Sequence, residues 1–194
     1  MPEDSPGIIL ASASPRRSEL LRQLGVRFRV VVSDIEELAL SGESPTDFVN
    51  RMAREKALNV LRKEGVGLPV LGADTAVILD SVILGKPADR EQAAAMLNRL
   101  SGRSHEVYSA VAVALDENVI HQALNISIVT FSRLEPEWIE AYCETGDPMD
   151  KAGSYGVQGR AAEKISRIEG SFYGVMGLPL YETSQLLKHA GVLF

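Results

Sequence analysis

The chain has 194 residues, of which 45% are hydrophobic and 24% are charged, and its formal net charge at pH 7 is −6. This apolar content can bury a sizeable core, which excludes an intrinsically disordered chain, and the length predicts a single domain over residues 1–194, with two tightly joined lobes as the alternative. The acidic balance disfavours broad, non-specific binding of nucleic acid, because such binding depends on a surplus of lysine and arginine.

The first half of the chain alternates strand and helix patterns. Apolar runs predict strands, and a serine or aspartate cap, twice followed by proline, marks each helix start. In chain order we predict a strand at Ile8–Ala11, a helix from Ser14-Pro15 to Gly25, a strand at Phe28–Val32, a helix from Ser44-Pro45 to about Lys63, a strand at Val70–Leu79, and a helix capped by Asp89 and closed by Gly102.

The second half brings strands next to one another in the chain. The predicted elements are strands at Glu106–Leu115 and Asn125–Phe131, a helix from Pro136 to about Cys143, a strand marked by Ile165 and Ile168, a strand at Tyr173–Met176, and a helix from Pro179 that ends before Gly191. Alternation followed by clustered strands predicts an α/β fold with a mixed, twisted sheet flanked by helices.

Cysteine occurs once, at Cys143. The chain therefore cannot form an internal disulfide or a cysteine metal cluster, and the reducing cytoplasm is the expected location. The first residues are acidic where a signal peptide would be basic, and no apolar run is long enough to span a bilayer. We expect no membrane association.

Familiar mechanistic motifs are absent from the sequence. It contains no Walker A loop, no glycine-rich dinucleotide fingerprint, no zinc-protease motif and no serine-hydrolase elbow. The histidines, His105, His121 and His189, are scattered along the chain, which disfavours a histidine triad or a zinc site. Catalysis would have to depend on carboxylates, lysines and arginines.

The first candidate site is the helix start that contains Ser12, Ser14, Arg16 and Arg17. Cations are normally disfavoured at a helix N-terminus, so two arginines there indicate an anion between their guanidinium groups and the free backbone N–H groups. Hydroxyls and arginines at a strand–loop–helix junction are suited to hold phosphate. The alternative, two solvated surface arginines, has roughly even weight on the local sequence alone.

Two further candidates, Asp74 and Lys56, lie on apolar elements. Asp74 is the one charged residue within the Val70–Leu79 strand, where burial would raise its pKa unless a cation partners it; the alternative is a structural aspartate that caps the backbone. Lys56 falls near the centre of the apolar stripe of its helix. It requires a carboxylate partner or a route along which to extend to solvent.

Three loops supply weaker candidates. Lys86 lies in a Gly-Lys-Pro turn that could return to the end of the Asp74 strand, and Glu36 and Glu37 offer oxygens that hard cations prefer. The loop 150–159 contains repeated glycines, and Gln158 can both donate and accept hydrogen bonds, as recognition of a base requires. The alternatives are surface turns and, in the last loop, a buried Asp150–Lys151 pair.

Together these segments resemble the Maf family of nucleotide pyrophosphatases. The similar stretches occur in family order from about residue 8 to residue 187, and they are residues 10–17, 53–57, 72–75, 85–87, 100–105, 150–159 and 175–179. The resemblance implies a Maf- or ITPase-like fold with two lobes around a nucleotide-binding cleft, usually in a homodimer. It also implies hydrolysis of a nucleoside triphosphate to the monophosphate and pyrophosphate with a divalent cation such as magnesium, manganese or cobalt.

The form of the 150–159 loop is similar to the branch of the family that acts on dTTP and UTP. The resemblance implies that Arg16, Arg17, Lys56 and Lys86 bind the triphosphate. It also implies that Asp74, with Glu37, holds the metal or activates water, and that Arg16, Thr75 and Gln158 meet the base edge. Alternatives are 7-methyl-GTP as the substrate, or a non-catalytic role in cell division or nucleic-acid binding.

Overall fold

The structure is a computed structural model that describes residues 7–65 and 67–194. Within these ranges one seven-stranded sheet contains β1 (Ile8–Leu10), β2 (Phe28–Val30), β3 (Val70–Leu79), β4 (Val82–Leu84), β5 (Ser104–Ala114), β6 (Ile120–Phe131) and β7 (Ile165–Glu169). The strand order is β2-β1-β3-β5-β6-β7, with β4 paired to β3. The β1 strand pairs in parallel with β2 and β3, and the remaining pairs are antiparallel. The predicted mixed sheet is confirmed.

Helices cover the sheet, and most begin where the capping residues predict. They are α1 (Pro15–Gln23), α2 (Pro45–Glu64), α3 (Arg90–Leu100), α4 (Pro136–Glu144), α5 (Phe172–Met176) and α6 (Leu180–His189). The side chains of Ser44 and Asp89 each accept a hydrogen bond from a backbone N–H in the first turn of α2 and α3, respectively. Between α4 and β7 the chain forms short 3-10 turns at Asp147–Asp150, Ala152–Ser154 and Arg160–Lys164.

One local prediction is wrong, and one strand is missed. The apolar run Tyr173–Met176 forms helix α5 and not a strand, because the Ser171 side chain caps this turn by accepting from the Gly174 N–H. A run this short carries no periodicity that separates strand from helix. The hairpin strand β4 was not predicted, since its turn is made by Asp80 and Ser81, both with positive φ, without the glycine that usually signals such a turn.

The central strand β3 is buried on both faces, which explains its nearly continuous apolar sequence. Side chains alternate along a strand, so Gly72, Asp74 and Ala76 face α2, whereas Ala73 and Thr75 face the opposite side. A Cβ at Gly72 would lie 2.3 Å from the Ala53 carbonyl oxygen. Glycine therefore allows α2 to lie directly against β3, two residues before Asp74.

Candidate active site

A buried lysine joins two carboxylates at the contact between α2 and β3. Lys56 Nζ lies 2.7 Å from Asp74 Oδ1 and 2.8 Å from Glu37 Oε1. Lys56 and Asp74 are each 5% exposed. Lys56 therefore ends on carboxylates and does not extend to solvent, and Asp74 has the cationic partner that its burial requires. We call Glu37, Lys56 and Asp74 the charged centre.

The surroundings displace the pKa values of the two carboxylates in opposite directions. Burial raises the pKa of Asp74 above its ordinary value, although Lys56 and Arg17 oppose this shift. Burial alone would also raise the pKa of Glu37, but Lys56, Lys86 and Arg17 together lower it below its ordinary value. Lys86 Nζ lies 3.7 Å from Glu37 Oε2. Glu37 is thus the stronger anion of the two, and Asp74 accepts a proton more readily.

Neutral acceptors hold Arg17 at the start of α1. Its Nε donates to the Gly177 carbonyl at 2.8 Å, and its terminal nitrogens lie 3.3 Å from Thr75 Oγ1 and 3.4 Å from Ser12 Oγ. Burial lowers the pKa of Arg17, and the charges of Asp74 and Glu37 oppose that shift. Within residues 7–65 and 67–194 no carboxylate lies within ion-pair distance of Arg17. Its charge is available to an incoming anion.

The loop before Arg17 has the form expected of an anion site. Ser14 occupies the predicted N-cap position of α1, but its side chain accepts no capping hydrogen bond. Instead the Ser14 N–H donates to Ser12 Oγ at 3.1 Å. The Ser14 hydroxyl and the first backbone N–H groups of α1 are therefore not satisfied by a side-chain cap, which is where helix N-termini bind anions.

The opposite side of the site is residues 147–159, which we call the rim segment. Arg16 Nη1 lies 3.7 Å from Asp150 Oδ2, and Lys151 Nζ lies 2.7 Å from Asp150 Oδ1. The Asp150–Lys151 pair exists but is not buried as a pair, because the Asp150 side chain is 67% exposed. Gln158 is exposed, and its amide has no hydrogen-bond partner in the part of the chain that the structure describes.

A cleft of about 550 Å³ lies between the charged centre and the rim segment. Every residue assigned to the site from the sequence lines it: Ser12, Ser14, Arg16, Arg17, Glu37, Lys56, Asp74, Thr75, Lys86 and Gln158. Glu36, the neighbouring acid that was not assigned to the site, is not among the lining residues. Asp147 and Tyr155 also line the cleft. The sequence analysis missed Asp147 because a single acid in a turn carries no distinguishing pattern.

The comparison with protein families decides what kind of protein carries this cleft. A family model described as Maf-like protein matches residues 7–190. The chain belongs to the Maf-like protein family. The resemblance deduced from the sequence motifs is confirmed.

Other members of the Maf-like family are similar to this chain over nearly its whole length. A protein of Symbiobacterium thermophilum named dTTP/UTP pyrophosphatase is 50% identical over 186 residues, which are 95% of this chain and 94% of that protein. A protein of Escherichia coli O6:K15:H31 with the same name is 48% identical over 186 residues, covering 96% of this chain and 94% of that protein.

A solved structure also has this fold. The HAM1 protein from Coxiella burnetii is 21% identical and superposes with a TM-score of 0.50, covering 95% of this chain and all of that protein. At this identity the likeness concerns the fold alone. The expected α/β architecture is confirmed.

The charged centre of this Maf-like chain fits a divalent cation that takes some of its ligands from the protein and the others from the substrate. Asp74 Oδ2 accepts no hydrogen bond from a described residue, and Glu37 and Asp74 oxygens face the same cleft. No cluster of three or more histidine, cysteine, aspartate or glutamate side chains suited to a metal occurs among the described residues. Magnesium commonly binds through one or two carboxylates and takes its other ligands from phosphate and water.

Proposed function

We propose that this chain hydrolyses dTTP and UTP to the monophosphate and pyrophosphate, with a divalent cation. The observation that carries the proposal is the cleft itself, where Arg16, Arg17, Lys56 and Lys86 surround two carboxylates. A triphosphate brings several negative charges that such cations neutralise. Maf-like relatives about 50% identical, named dTTP/UTP pyrophosphatase, support the same substrates.

The cations act on the phosphates in distinct ways. Arg17, held by neutral acceptors, presents a preorganised guanidinium that can bind two phosphate oxygens. Lys86, whose side chain is 59% exposed, lies at the open side and can move onto the phosphates. Lys56 is bound between two carboxylates, so it orients Asp74 as well as supplying charge.

The two carboxylates divide the remaining work. We assign Asp74 as the base that takes a proton from the water attacking the α-phosphorus, since its pKa is raised and its Oδ2 is unbonded. Glu37 stays ionised. Glu37 would hold the divalent cation together with phosphate oxygens and water, which leaves Asp74 Oδ2 free to take the proton, and the cation would neutralise charge on the phosphates.

The base end of the nucleotide would meet Gln158, Thr75 and Arg16. The uracil and thymine edge presents two carbonyl acceptors around one N–H donor. Gln158 can donate and accept, and its amide has no hydrogen-bond partner among residues 7–65 and 67–194. Cytosine exchanges one acceptor for a donor, which leaves a polar group unpaired at a cost of roughly 1–3 kcal/mol.

Release of pyrophosphate from a panel of nucleotides tests the proposal. We expect kcat/KM to be highest for dTTP and UTP, lower for CTP, and lowest for GTP and 7-methyl-GTP, with magnesium or manganese required. Gln158→Ala should flatten this ranking more than it lowers the rate on UTP. A preference for 7-methyl-GTP would assign the chain to another branch, and no release from any nucleotide would favour a non-catalytic role.

The expected partners and location belong to the same proposal. None of the described helices has the length and apolar character that crossing a bilayer needs. The lone cysteine supports a reducing compartment. We propose a cytoplasmic homodimer that binds nucleotides and not nucleic acid. Light scattering, cell fractionation and a gel-shift assay with DNA and RNA would test these three points.

A further inference from the structure

Gln158 owes its position in the cleft to its backbone. Its amide makes no hydrogen bond with the described residues, so no side-chain contact holds it. It lies within a turn in which the Gly159 N–H donates to the Gly156 carbonyl at 3.2 Å, next to the buried Val157. Contacts that hold the backbone of Gly156 and Gly159 in place therefore also hold the backbone of Gln158.

A hydrogen-bonded network lies directly beneath this turn. The Tyr142 hydroxyl, from helix α4, accepts from the Gly156 N–H at 3.4 Å and donates to Asp147 Oδ2 at 2.9 Å. Lys151 Nζ donates to Asp147 Oδ1 at 2.9 Å. Burial alone would raise the pKa of Asp147, but the hydrogen bonds from Lys151 and Tyr142 lower it, so this carboxylate is ionised.

The turn touches the same network on both sides of Gln158. A Cβ at Gly156 would lie 2.8 Å from Lys151 Cε, and a Cβ at Gly159 would lie 2.9 Å from Asp147 Oδ2. Both glycines let the backbone wrap closely around the Asp147–Lys151 ion pair. A change in that pair would consequently move the backbone that carries Gln158.

Lys151 cannot serve as a further phosphate ligand in this arrangement. Its ammonium has three N–H donors, and they are directed to the Asp147 carbonyl oxygen, Asp147 Oδ1 and Asp150 Oδ1. Its side chain is 11% exposed, in contrast to 59% for Lys86. Lys151 is thus bound within the rim segment.

We propose that Tyr142, Asp147 and Lys151 are positioning residues that set the base selectivity of the cleft by fixing Gln158. The inference rests on the proposed function, because it assumes that Gln158 meets the base. It assigns a role to a buried tyrosine and an ion pair that the phosphate chemistry leaves unused. The network should influence the base end of the nucleotide and leave the charged centre unaffected.

The test uses Lys151→Met and Tyr142→Phe, with Lys164→Met as the matched control. Lys164 forms a comparable ion pair with Glu135, at 2.6 Å and 19% exposed, but it does not line the cleft. Tyr142→Phe keeps the ring that packs in the core and removes only the hydroxyl. Thermal unfolding of each variant shows that it is folded.

We expect the two network variants to lower the ratio of kcat/KM for UTP over CTP and GTP by on the order of tenfold. The loss should arise through KM for UTP, with kcat changed by less than about threefold, as for interactions made equally in the ground and transition states. The inhibition constant of UMP should rise by the same factor as KM for UTP, whereas the inhibition constant of pyrophosphate should not change. Lys164→Met should retain the wild-type ratio.

Four results would overturn the inference or its basis. An unchanged nucleotide ranking in folded Tyr142→Phe would show that the network does not control selectivity. Equal weakening of UMP and pyrophosphate inhibition would show that it supports the whole cleft. A wild type that releases no pyrophosphate from UTP or dTTP would overturn the proposed function. Calorimetry with UMP, which needs no turnover, then decides the network separately, since equal affinities in wild type and Lys151→Met would overturn it.

Discussion

The ion pair between Lys56 and Asp74 in the charged centre is buried and close, whereas the pair between Arg16 and the rim segment is exposed and longer. Asp74 and Lys56 lie on a central strand and a long helix, are 5% exposed, and are 2.7 Å apart. On the rim, Arg16 and Asp150 are 3.7 Å apart and 32% and 67% exposed. Charges interact more strongly where water is excluded, so the Lys56–Asp74 pair should have larger effects than the Arg16–Asp150 pair.

This difference suits two roles that we propose for the cleft, binding of the phosphates at the charged centre and binding of the base at the rim segment. Helices α1 and α2 and strand β3 hold Arg17, Lys56 and Asp74, which we propose act on the phosphates, where small displacements are costly. A turn holds Gln158, which we propose meets the base, and the chain there can vary without disturbing the sheet. Each prediction below tests the contrast, from the largest expected effect to the smallest.

Removal of the buried negative charge should have the largest effect. Asp74→Asn keeps the shape of the side chain but cannot take a proton from water, so kcat should fall by about 100- to 10,000-fold. Lys56 still contacts Glu37, and we expect the variant to remain folded by circular dichroism. Retention of more than about a tenth of wild-type kcat would contradict the role of Asp74 as the base.

Removal of the buried positive charge should lower the free energy of unfolding. The apolar stripe of α2 predicts that Lys56→Met preserves or raises stability. The structure reverses this expectation, because the substitution leaves Asp74 buried without its partner, which costs about 3–5 kcal/mol. Urea unfolding would measure the loss. The double variant Lys56→Met/Asp74→Asn should recover most of it, and no recovery would show that the pair is not the cause.

A buried histidine beneath the rim segment should make stability depend on pH. His105 is 3% exposed and its Nε2 lies 2.6 Å from the Tyr155 hydroxyl, and burial lowers its pKa to about 4. An unfolded histidine titrates near 6.5, so below that pH the unfolded chain binds the proton first. The contribution of neutral His105 is complete above pH 6.5 and decreases as the pH falls towards 4.

The matched variant is His105→Gln, which can still bond Tyr155. Between pH 7.5 and 5, the wild type should lose about 2 kcal/mol more unfolding free energy than the variant. Chemical denaturation at both pH values measures this difference. Parallel losses in the two proteins would contradict the assignment to His105.

The exposed rim pair should have the smallest effect. Asp150→Asn removes the carboxylate near Arg16, but that pair is long and solvated, and the new amide oxygen can still accept from Lys151. The unfolding free energy should therefore change by less than about 1 kcal/mol. Thermal unfolding at low and high salt would measure it. A loss comparable with that of Lys56→Met would remove the proposed contrast between centre and rim.

Local sequence patterns predict an element correctly where neighbouring residues alone determine where it begins and ends. The apolar run of β3 predicts its bounds as observed, and Ser44 and Asp89 predict the starts of α2 and α3. Such patterns do not predict the structure between residues 147 and 164, because tertiary contacts and not a periodic sequence determine the short 3-10 turns there. The helix at Phe172–Met176 was missed for a similar reason, since one turn carries no repeat.

The sequence by itself determined the α/β class, the mixed sheet, the membership of the Maf-like family and which residues would line a cleft, because each follows from local patterns and from their order along the chain. Only the tertiary structure decided that one ammonium joins Glu37 and Asp74, and that Tyr142 and Asp147 lie beneath Gln158. The Lys56–Asp74 contact joins residues 18 positions apart, and the Tyr142–Gly156 contact joins residues 14 positions apart. They depend on the close packing of α2 on β3, which Gly72 allows, and of the rim turns on α4. No local pattern records such packing.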